Sequence, residues 1–353
     1  MKKLWKGNEA VAEAAIAAGC RFFFGYPITP QNEIPEYLSW RMPEVNGTFI
    51  QAESEVSAIN MVYGAAAAGG RVMTSSSSPG ISLKTEGISY CAGAELPCVI
   101  VNISRAGPGL GGIQPAQGDY FQAVKGGGHG DYKCLVYAPN SVQEFVDLTA
   151  KAFDKADQYR TPVMMISDGL LGQMMEPAEI PPFVDLNKLP NKDEWKTCGN
   201  DQYKQRIVES IHISPDDLEA HNHKLFKKYA QMEKNEVMVE EYKCDDAEVI
   251  LVAYGSVARI TKAAVDELRA NKIKAGLVRP ITLYPYPSVC LEKYAKQKSV
   301  KRFIAVELSM GQMVEDVRLA VNGAKPVEFY GRAGGIVMVP SEIVEYVKKG
   351  GKK

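Results

Sequence analysis

The stretches most able to do chemistry lie in the first 132 residues of this 353-residue sequence. QAESEVSAINMVYGAAAAGG, residues 51–70, places Glu53 and Glu55 at the head of a run of small residues. Acids there can simply complement the positive end of a helix. Val56, Ile59, Met61 and Val62 follow at once, so one carboxylate is expected to be partly buried. A carboxylate in apolar surroundings has a raised pKa and suits proton exchange. Arg105 follows an apolar run directly, at the kind of strand end where α/β proteins form their sites. It can grip a carboxylate through two parallel hydrogen bonds, or pair with an acid of the fold. In GYPITP, residues 25–30, prolines flank Ile28 and Thr29 and present the threonine hydroxyl on a restricted loop; a plain strand-to-helix turn has the same pattern. Ser75, Ser76, Ser77 and Ser78 form a hydroxyl-rich stretch before Pro79-Gly80 that can hold an anion or a polar ring edge, without the spacing of a phosphate-binding P-loop. His129 sits in a glycine-rich loop, where a lone histidine is more often structural or solvated; His212, His221 and His223 receive no role.

The elements that must position these residues read as α/β. Helical period over residues 8–19, with Asn8 as cap, is followed by a short strand over 20–27 and another over 47–52. A small-residue helix spans 54–70, a strand 71–78, a helix 81–94 and a continuous apolar strand 96–104. Residues 134–140 and 161–168 read as strands on either side of an amphipathic helix over 141–160 capped by Ser141. Strands alternating with helices predict a mainly parallel sheet in a first domain, residues 1–180. Residues 181–246 are proline-rich and then charged, with a helix over 214–235 that opens on Ser214 and Pro215; they read as a connector. A second α/β unit, residues 247–353, alternates strands over 248–256, 273–280 and 302–308 with helices over 257–272, 288–297 and 310–321 and a final helical stretch. No internal repeat is evident.

Composition narrows the classes. A net charge of −1 gives no footprint for nucleic acid or an anionic membrane surface. No apolar run approaches the roughly 20 residues of a membrane span, and Lys6, Glu9 and Glu13 break the N-terminal apolar stretch, so a cytoplasmic protein is expected. The seven cysteines, Cys20, Cys91, Cys98, Cys134, Cys198, Cys244 and Cys290, are widely spaced and form no CxxC, so they read as reduced, mostly buried thiols rather than a zinc or iron–sulfur site.

Taken in order, GYPITP, the acid-led small-residue helix, MTSSSSPGISL and a strand ending in arginine resemble the pyrimidine-binding domain of thiamine-diphosphate-dependent 2-oxoacid:ferredoxin oxidoreductases. LVRPITLYPYP, AVELSMGQMVEDVR and YGRAGG resemble the transketolase C-terminal-like domain of the same family. The resemblance covers nearly all of the chain except the connector, and identifies it as an alpha-type subunit. It implies that a glutamate nine residues before the glycine of the small-residue helix bonds the aminopyrimidine of thiamine diphosphate and activates its carbon nucleophile. Gly64 minus nine is Glu55, with Glu53 as second choice. It implies further that Ile28 and Thr29 contact the 2-oxoacid, that Arg105 holds its carboxylate, and that Ser75 to Ser78 face the cofactor.

Departures from the family pattern set the partners. The sequence has no GDG motif for magnesium and diphosphate, Ser167-Asp168-Gly169 being a near miss, and no cluster cysteines. Mg2+ and the diphosphate site are therefore expected on a beta-type subunit, and iron–sulfur clusters on other partners, namely a gamma-type and a ferredoxin-like subunit. The chain alone is expected to be inactive. GGIQPAQGDYFQA and KGGGHGDY look most like the branched-chain enzyme, which converts 3-methyl-2-oxobutanoate and coenzyme A to acyl-CoA and carbon dioxide and reduces ferredoxin. The alternatives are the same chemistry on 2-oxoglutarate, with Lys125 or His129 meeting the distal carboxylate, and a non-catalytic structural subunit.

Overall fold

The computed structural model describes residues 2–197 and 205–350, which leaves Cys198 outside the described residues. Strand β1 (Lys3–Lys6) runs straight into helix α1 (Gly7–Ala17). Then come β2 (Phe22–Gly25), α2 (Glu33–Glu44), β3 (Thr48–Gln51), α3 (Glu55–Ala67), β4 (Val72–Ser76), α4 (Ser78–Gly93) and β5 (Cys98–Ser104). Next follow α5 (Tyr120–Val124), β6 (Leu135–Tyr137), α6 (Val142–Tyr159), β7 (Pro162–Asp168), α7 (Gly169–Gln173) and β8 (Met175–Ala178). The alternation read from periodicity is present throughout this part. Helix α2 is an addition that periodicity did not reveal: Pro35 and Pro43 obscure it in sequence, but Pro35 falls in its first turn, where proline is tolerated, and Pro43 stands next to its last residue.

One expected cap is corrected. Asn8 does not cap α1, because β1 enters the helix without a break and Lys6 holds the cap position. The Asn8 amide instead donates to the Pro30 carbonyl at 2.9 Å and to Glu33 at 2.8 Å, which pins the loop carrying Ile28 and Thr29. Ser141 and Ser214 do cap their helices, accepting from the backbone N–H of Glu144 and Asp217.

The first sheet has the order β12-β6-β7-β5-β4-β2-β3, and its six strands from the first domain are parallel. β5 is buried over its whole length, and its side chains alternate between two cores. Val99, Val101 and Ile103 face α1, α2 and α6, while Cys98 and Ile100 face α3 and α4. Because the strands are parallel, the loops after β2, β4 and β5 all emerge at one end of the sheet. They carry Thr29, Ser78 and Arg105.

The second half contains α8 (Pro215–Asn235), β9 (Val239–Tyr242), β10 (Val249–Val252), α9 (Gly255–Ala270), β11 (Ala275–Pro280) and β12 (Thr282–Tyr284). α10 (Ser288–Ala295), β13 (Arg302–Glu307), α11 (Met313–Val321), β14 (Val327–Gly331) and α12 (Pro340–Lys348) complete it. Its sheet runs β14-β13-β10-β11-β9. The two halves exchange edges. β9, ahead of residue 247, pairs antiparallel with β11, and β12 from the second half pairs antiparallel with β6 of the first sheet. α8 lays Leu225, Tyr229 and Met232 against the first sheet's core. A continuous apolar cluster joins Ile100, Val136 and Met164 of the first half to Val252, Phe303 and Met313 of the second. The six described cysteines are free thiols, five buried and Cys290 partly exposed. Among the described residues no helix is long and apolar enough to cross a membrane.

Candidate active site

Arg105 lies just past the end of β5 and is 9% exposed. Its Nη1 donates to the Thr29 carbonyl at 3.0 Å and its Nη2 to the Leu110 carbonyl at 3.1 Å, while Nε has no hydrogen-bond partner. No carboxylate among the described residues pairs with this guanidinium. The Leu110 carbonyl is delivered by a loop that folds back sharply, with Gly112 N bonded to the Ala106 carbonyl at 2.8 Å. Gly111 is required there, since it has φ +61° and a Cβ would sit 1.8 Å from the Ala106 carbonyl oxygen.

Behind Arg105 stands a buried polar network. Ser78 Oγ accepts from the Arg105 backbone N–H at 2.9 Å and donates to Asp119 at 2.7 Å, and Asn102 Nδ2 donates to the same carboxylate oxygen at 2.8 Å. Burial pushes the Asp119 carboxyl above the usual aspartate range, and its bonds to Ser78 and Asn102 pull the other way. Ser78 is also the first residue of α4, so one hydroxyl fixes the start of that helix against the end of β5.

Glu55 opens α3, with Ser54 as cap accepting from Ser57 N at 3.1 Å. Glu55 is 6% exposed, whereas Glu53, two residues earlier, is exposed. Of the apolar residues that follow, Val56 is 44% exposed whereas Ile59 and Val62 are buried. The first turn of α4 also lies against the acid: a Cβ on Gly80 would lie 2.7 Å from Glu55 Oε1 and 2.1 Å from Ser76 Oγ. No hydrogen-bond donor among the described residues reaches the Glu55 carboxylate, and the buried Ser76 hydroxyl is likewise unpartnered.

The serines divide. Ser76 borders Glu55 and Ser78 borders Arg105. Ser75 points away, donating to Gln31 Oε1 at 2.5 Å, as alternation along β4 demands. Ser77 is buried with an unpartnered hydroxyl. Thr29 is tied to Arg105 through its carbonyl, and Ile28 closes a turn by accepting from Gln31 N at 3.1 Å. Two clusters result, Thr29–Arg105–Ser78 and Glu55–Ser76, joined by the first turn of α4.

The second half closes over this end of the sheet. Gln117 clasps it, donating to the Tyr254 carbonyl at 3.0 Å and accepting from Leu308 N at 3.1 Å. Glu307 is fully buried and accepts from Ser309 Oγ and from the backbone N–H groups of Gln312, Met313 and Val314 at 2.9–3.0 Å, which holds the start of α11 and the loop before it. A cavity of about 370 Å³ remains between Arg105, Ser78 and Asp119 on one side and Ser309, Met310 and Gly334 on the other. A second, mostly apolar cavity of about 660 Å³ borders Thr29 and is lined by Ile113, Leu170, Met174 and Val337. Lys125 does not border either: it pairs with Asp316 across the two halves. His129 is exposed, with its ring edge-on to Tyr90 at 5.9 Å.

Sequence reasoning missed Asp119, Asn102 and Lys84. Lys84 is fully buried on α4; its Nζ donates to Thr74 Oγ1 at 2.7 Å and to the Ser75 carbonyl at 2.9 Å. Burial pulls its ammonium down to about 7, and the Glu55 carboxylate opposes that shift. Its signal was available, because Gly80, Ile81, Lys84, Gly87, Ile88 and Cys91 form one buried helical stripe in which Lys84 is the one charge. Asp119 had no local signal, since its partners Ser78 and Asn102 lie 41 and 17 residues away.

Comparison with known proteins places this geometry in context. The family description "Pyruvate flavodoxin/ferredoxin oxidoreductase, thiamine diP-bdg" matches residues 13–241, and "Pyruvate:ferredoxin oxidoreductase core domain II" matches residues 247–343. The chain is 52% identical over 344 residues to the ketoisovalerate oxidoreductase subunit VorB of Methanothermobacter thermautotrophicus, spanning 98% of this chain and 96% of that one. It is 35% identical over 362 residues to the 2-oxoglutarate synthase subunit KorA of Methanocaldococcus jannaschii, spanning 96% and 97%. The solved 2-oxoglutarate:ferredoxin oxidoreductase from Magnetococcus marinus, with 2-oxoglutarate, coenzyme A and succinyl-CoA bound, superposes with a TM-score of 0.87 at 26% identity. That match takes in 99% of this chain and 65% of the length of the other. A split-gene transketolase shares the fold, with a TM-score of 0.58 at 13% identity.

Proposed function

This chain belongs to the pyruvate flavodoxin/ferredoxin oxidoreductase family, and on that premise we propose that it is the substrate-gripping subunit of a 2-oxoacid:ferredoxin oxidoreductase acting on 3-methyl-2-oxobutanoate. The overall reaction converts the 2-oxoacid and coenzyme A to acyl-CoA, carbon dioxide and a proton, while two electrons pass to ferredoxin. The observation that carries the reading is Arg105. A buried guanidinium with no acid partner among the described residues, at the carboxyl end of a parallel strand and facing a cavity, is a receptor for a carboxylate from outside the chain.

The residues around Glu55 fit a thiamine ring. Glu55 is a buried residue whose carboxylate receives no hydrogen bond from the described residues, the Ser76 hydroxyl beside it is unpartnered among them, and Gly80 presents bare backbone to both. Glu55 would accept a hydrogen bond from the aminopyrimidine, with Ser76 beside it; when bound, thiamine diphosphate supplies the carbon nucleophile and the electron sink. This chain's own part is to orient. Arg105 holds the substrate carboxylate, Thr29 stands next to it, and the Ser78–Asp119–Asn102 network fixes the backbone from which Arg105 projects. The diphosphate and Mg2+ belong, in this reading, to a beta-type subunit, because the sequence has no GDG motif. The iron–sulfur clusters belong to gamma-type and ferredoxin-like subunits.

The branched-chain substrate is favoured over 2-oxoglutarate by the side chains that would have met a distal carboxylate. Lys125 is spent on Asp316, His129 faces solvent, and the cavity beside Thr29 is lined mostly by apolar groups and carries no cationic side chain, its polar side chains being Thr29, Gln114 and Gln173. A purely structural subunit has no use for an unpaired buried guanidinium and an unpaired buried carboxylate at the same end of one sheet. The test is to purify the chain with its partners and assay viologen reduction with coenzyme A over a panel of 2-oxoacids. The expected result is a kcat/KM for 3-methyl-2-oxobutanoate at least about tenfold above that for 2-oxoglutarate. A reversed preference would remove the substrate assignment, and no turnover with any 2-oxoacid would remove the function.

A further inference from the structure

Lys84 takes no part in gripping substrate or cofactor, yet it places an amine in the fully buried layer between α4 and the sheet. It makes two hydrogen bonds, to Thr74 Oγ1 and the Ser75 carbonyl. An ammonium has three donors, and no acceptor for the third and no direct ion pair are present among the described residues. A buried cation of this kind is destabilising unless something compensates it, and an apolar side chain of similar length would satisfy the packing. Among the described residues the compensation is electrostatic and comes from Glu55. Lys84 lies one helical turn after Gly80 on the same face of α4, and it is at Gly80 that the Glu55 carboxylate rests, 2.7 Å from where a Cβ would stand. Glu55 for its part receives no hydrogen bond from the described residues.

We propose that Lys84 is a positioning residue for the reaction: its ammonium, one turn below Gly80, holds Glu55 in the carboxylate form that an incoming aminopyrimidine requires. This rests on the reading of Glu55 as the acid that meets the ring. The Glu55 carboxylate attracts the Lys84 ammonium and opposes the effect of its burial, and such an attraction acts on both partners. Of the elements packed on α4, α3 contributes Glu55, and β4 contributes the neutral Thr74 hydroxyl and Ser75 carbonyl. At the helix start Ser78 meets Asp119 and Arg105. Ionised Glu55 must gain a share of a proton when the ring docks, so cofactor binding takes up a proton above the carboxyl's own titration range. Removing the cation moves that range upward.

The experiment uses the assembled complex, stripped of cofactor and titrated with thiamine diphosphate in the presence of Mg2+. Calorimetry in two buffers of different ionisation enthalpy gives the protons taken up per cofactor bound, from pH 4 to 6, below the value of about 7 to which burial lowers Lys84 itself. The diphosphate's own protonation is common to all variants and cancels in the differences. Lys84→Gln keeps hydrogen-bonding capacity toward Thr74 and Ser75 and deletes the charge; Lys84→Met deletes both. Both variants are expected to move the pH of half-maximal uptake upward by about one unit. In a Glu55→Gln background the Lys84→Gln change should have no effect on uptake. If Lys84→Met prevents assembly, the Lys84→Gln variant carries the test alone. A Lys84→Gln complex that binds more weakly at every pH with an unchanged uptake profile would show a packing role and overturn the proposal. If that happens while Glu55→Gln still abolishes the carboxylate's uptake, the reading of Glu55 survives; if Glu55→Gln leaves uptake unchanged, that reading falls first.

Discussion

Gly80→Ala probes the site with a single methyl group. Gly80 has ordinary helical backbone, so alanine can adopt its conformation, and the change acts only through space. The new Cβ would stand 2.7 Å from Glu55 Oε1, where ordinary contact begins near 3.4 Å, so the carboxylate must retreat by about 0.7 Å. It would also stand 2.1 Å from Ser76 Oγ, which can turn about χ1 into another rotamer. Displacing a catalytic group by about 1 Å costs on the order of 10²-fold in rate, so kcat is expected to fall about 10- to 100-fold. Stability responds less. Overpacking costs about 1–3 kcal/mol, while replacing glycine by alanine in a helix returns up to about 1 kcal/mol. For a chain of this length the net change corresponds to a few degrees in Tm. The assay is kcat of the assembled complex with 3-methyl-2-oxobutanoate, with thermal unfolding measured on the same preparations. A variant within about twofold of wild-type kcat, with unchanged affinity for thiamine diphosphate, would refute the reasoning that Gly80 seats Glu55 for the reaction.

Arg105→Met should chiefly raise KM for the 2-oxoacid, by about 10- to 100-fold for a charged hydrogen-bonded contact worth about 1.5–3 kcal/mol, and steady-state kinetics showing an unchanged KM would take Arg105 out of the substrate site. Arg71 is buried, reaching Asp157 at 2.8 Å, Asp154 at 2.7 Å and the Ala18 carbonyl, so Arg71→Ala should cost about 3 kcal/mol, read as a lower denaturant midpoint. Lys192 stays on Asp157 at 2.6 Å and limits the loss. Asp119→Asn keeps an acceptor for Ser78 and Asn102 and removes a charge. Because burial raises the Asp119 pKa, the wild type loses stability as pH rises from the ordinary aspartate value through the raised one, and regains it on acidification. The variant should therefore unfold at a higher temperature than wild type at neutral pH, with the gap closing toward pH 4; a gap that widens on acidification would contradict the assignment.

The sequence alone was enough for the alternation of strands and helices, because periods of 2 and 3.6 are local properties of the chain. It was also enough for the placement of Thr29, Ser78 and Arg105 at one end of the sheet, since parallel strands send every following loop to the same side. The buried stripe of α4 was legible by the same period. The distinction between Glu53 and Glu55 was not legible locally, because both stand beside a helix start. Tertiary structure buries Glu55 alone, by bringing the bare backbone at Gly80 against its carboxylate. Ser75 and Ser76 look alike in sequence, yet opposite faces of β4 send one to Gln31 and the other to Glu55. The bonds of Asp119 to Ser78 and Asn102, and the exchange of β9 and β12 between the two sheets, also belong to tertiary structure alone. These pairings join residues tens to more than a hundred positions apart. No local period encodes them; they exist only once parallel packing has brought loop ends together and left each polar group to find the partner within its reach.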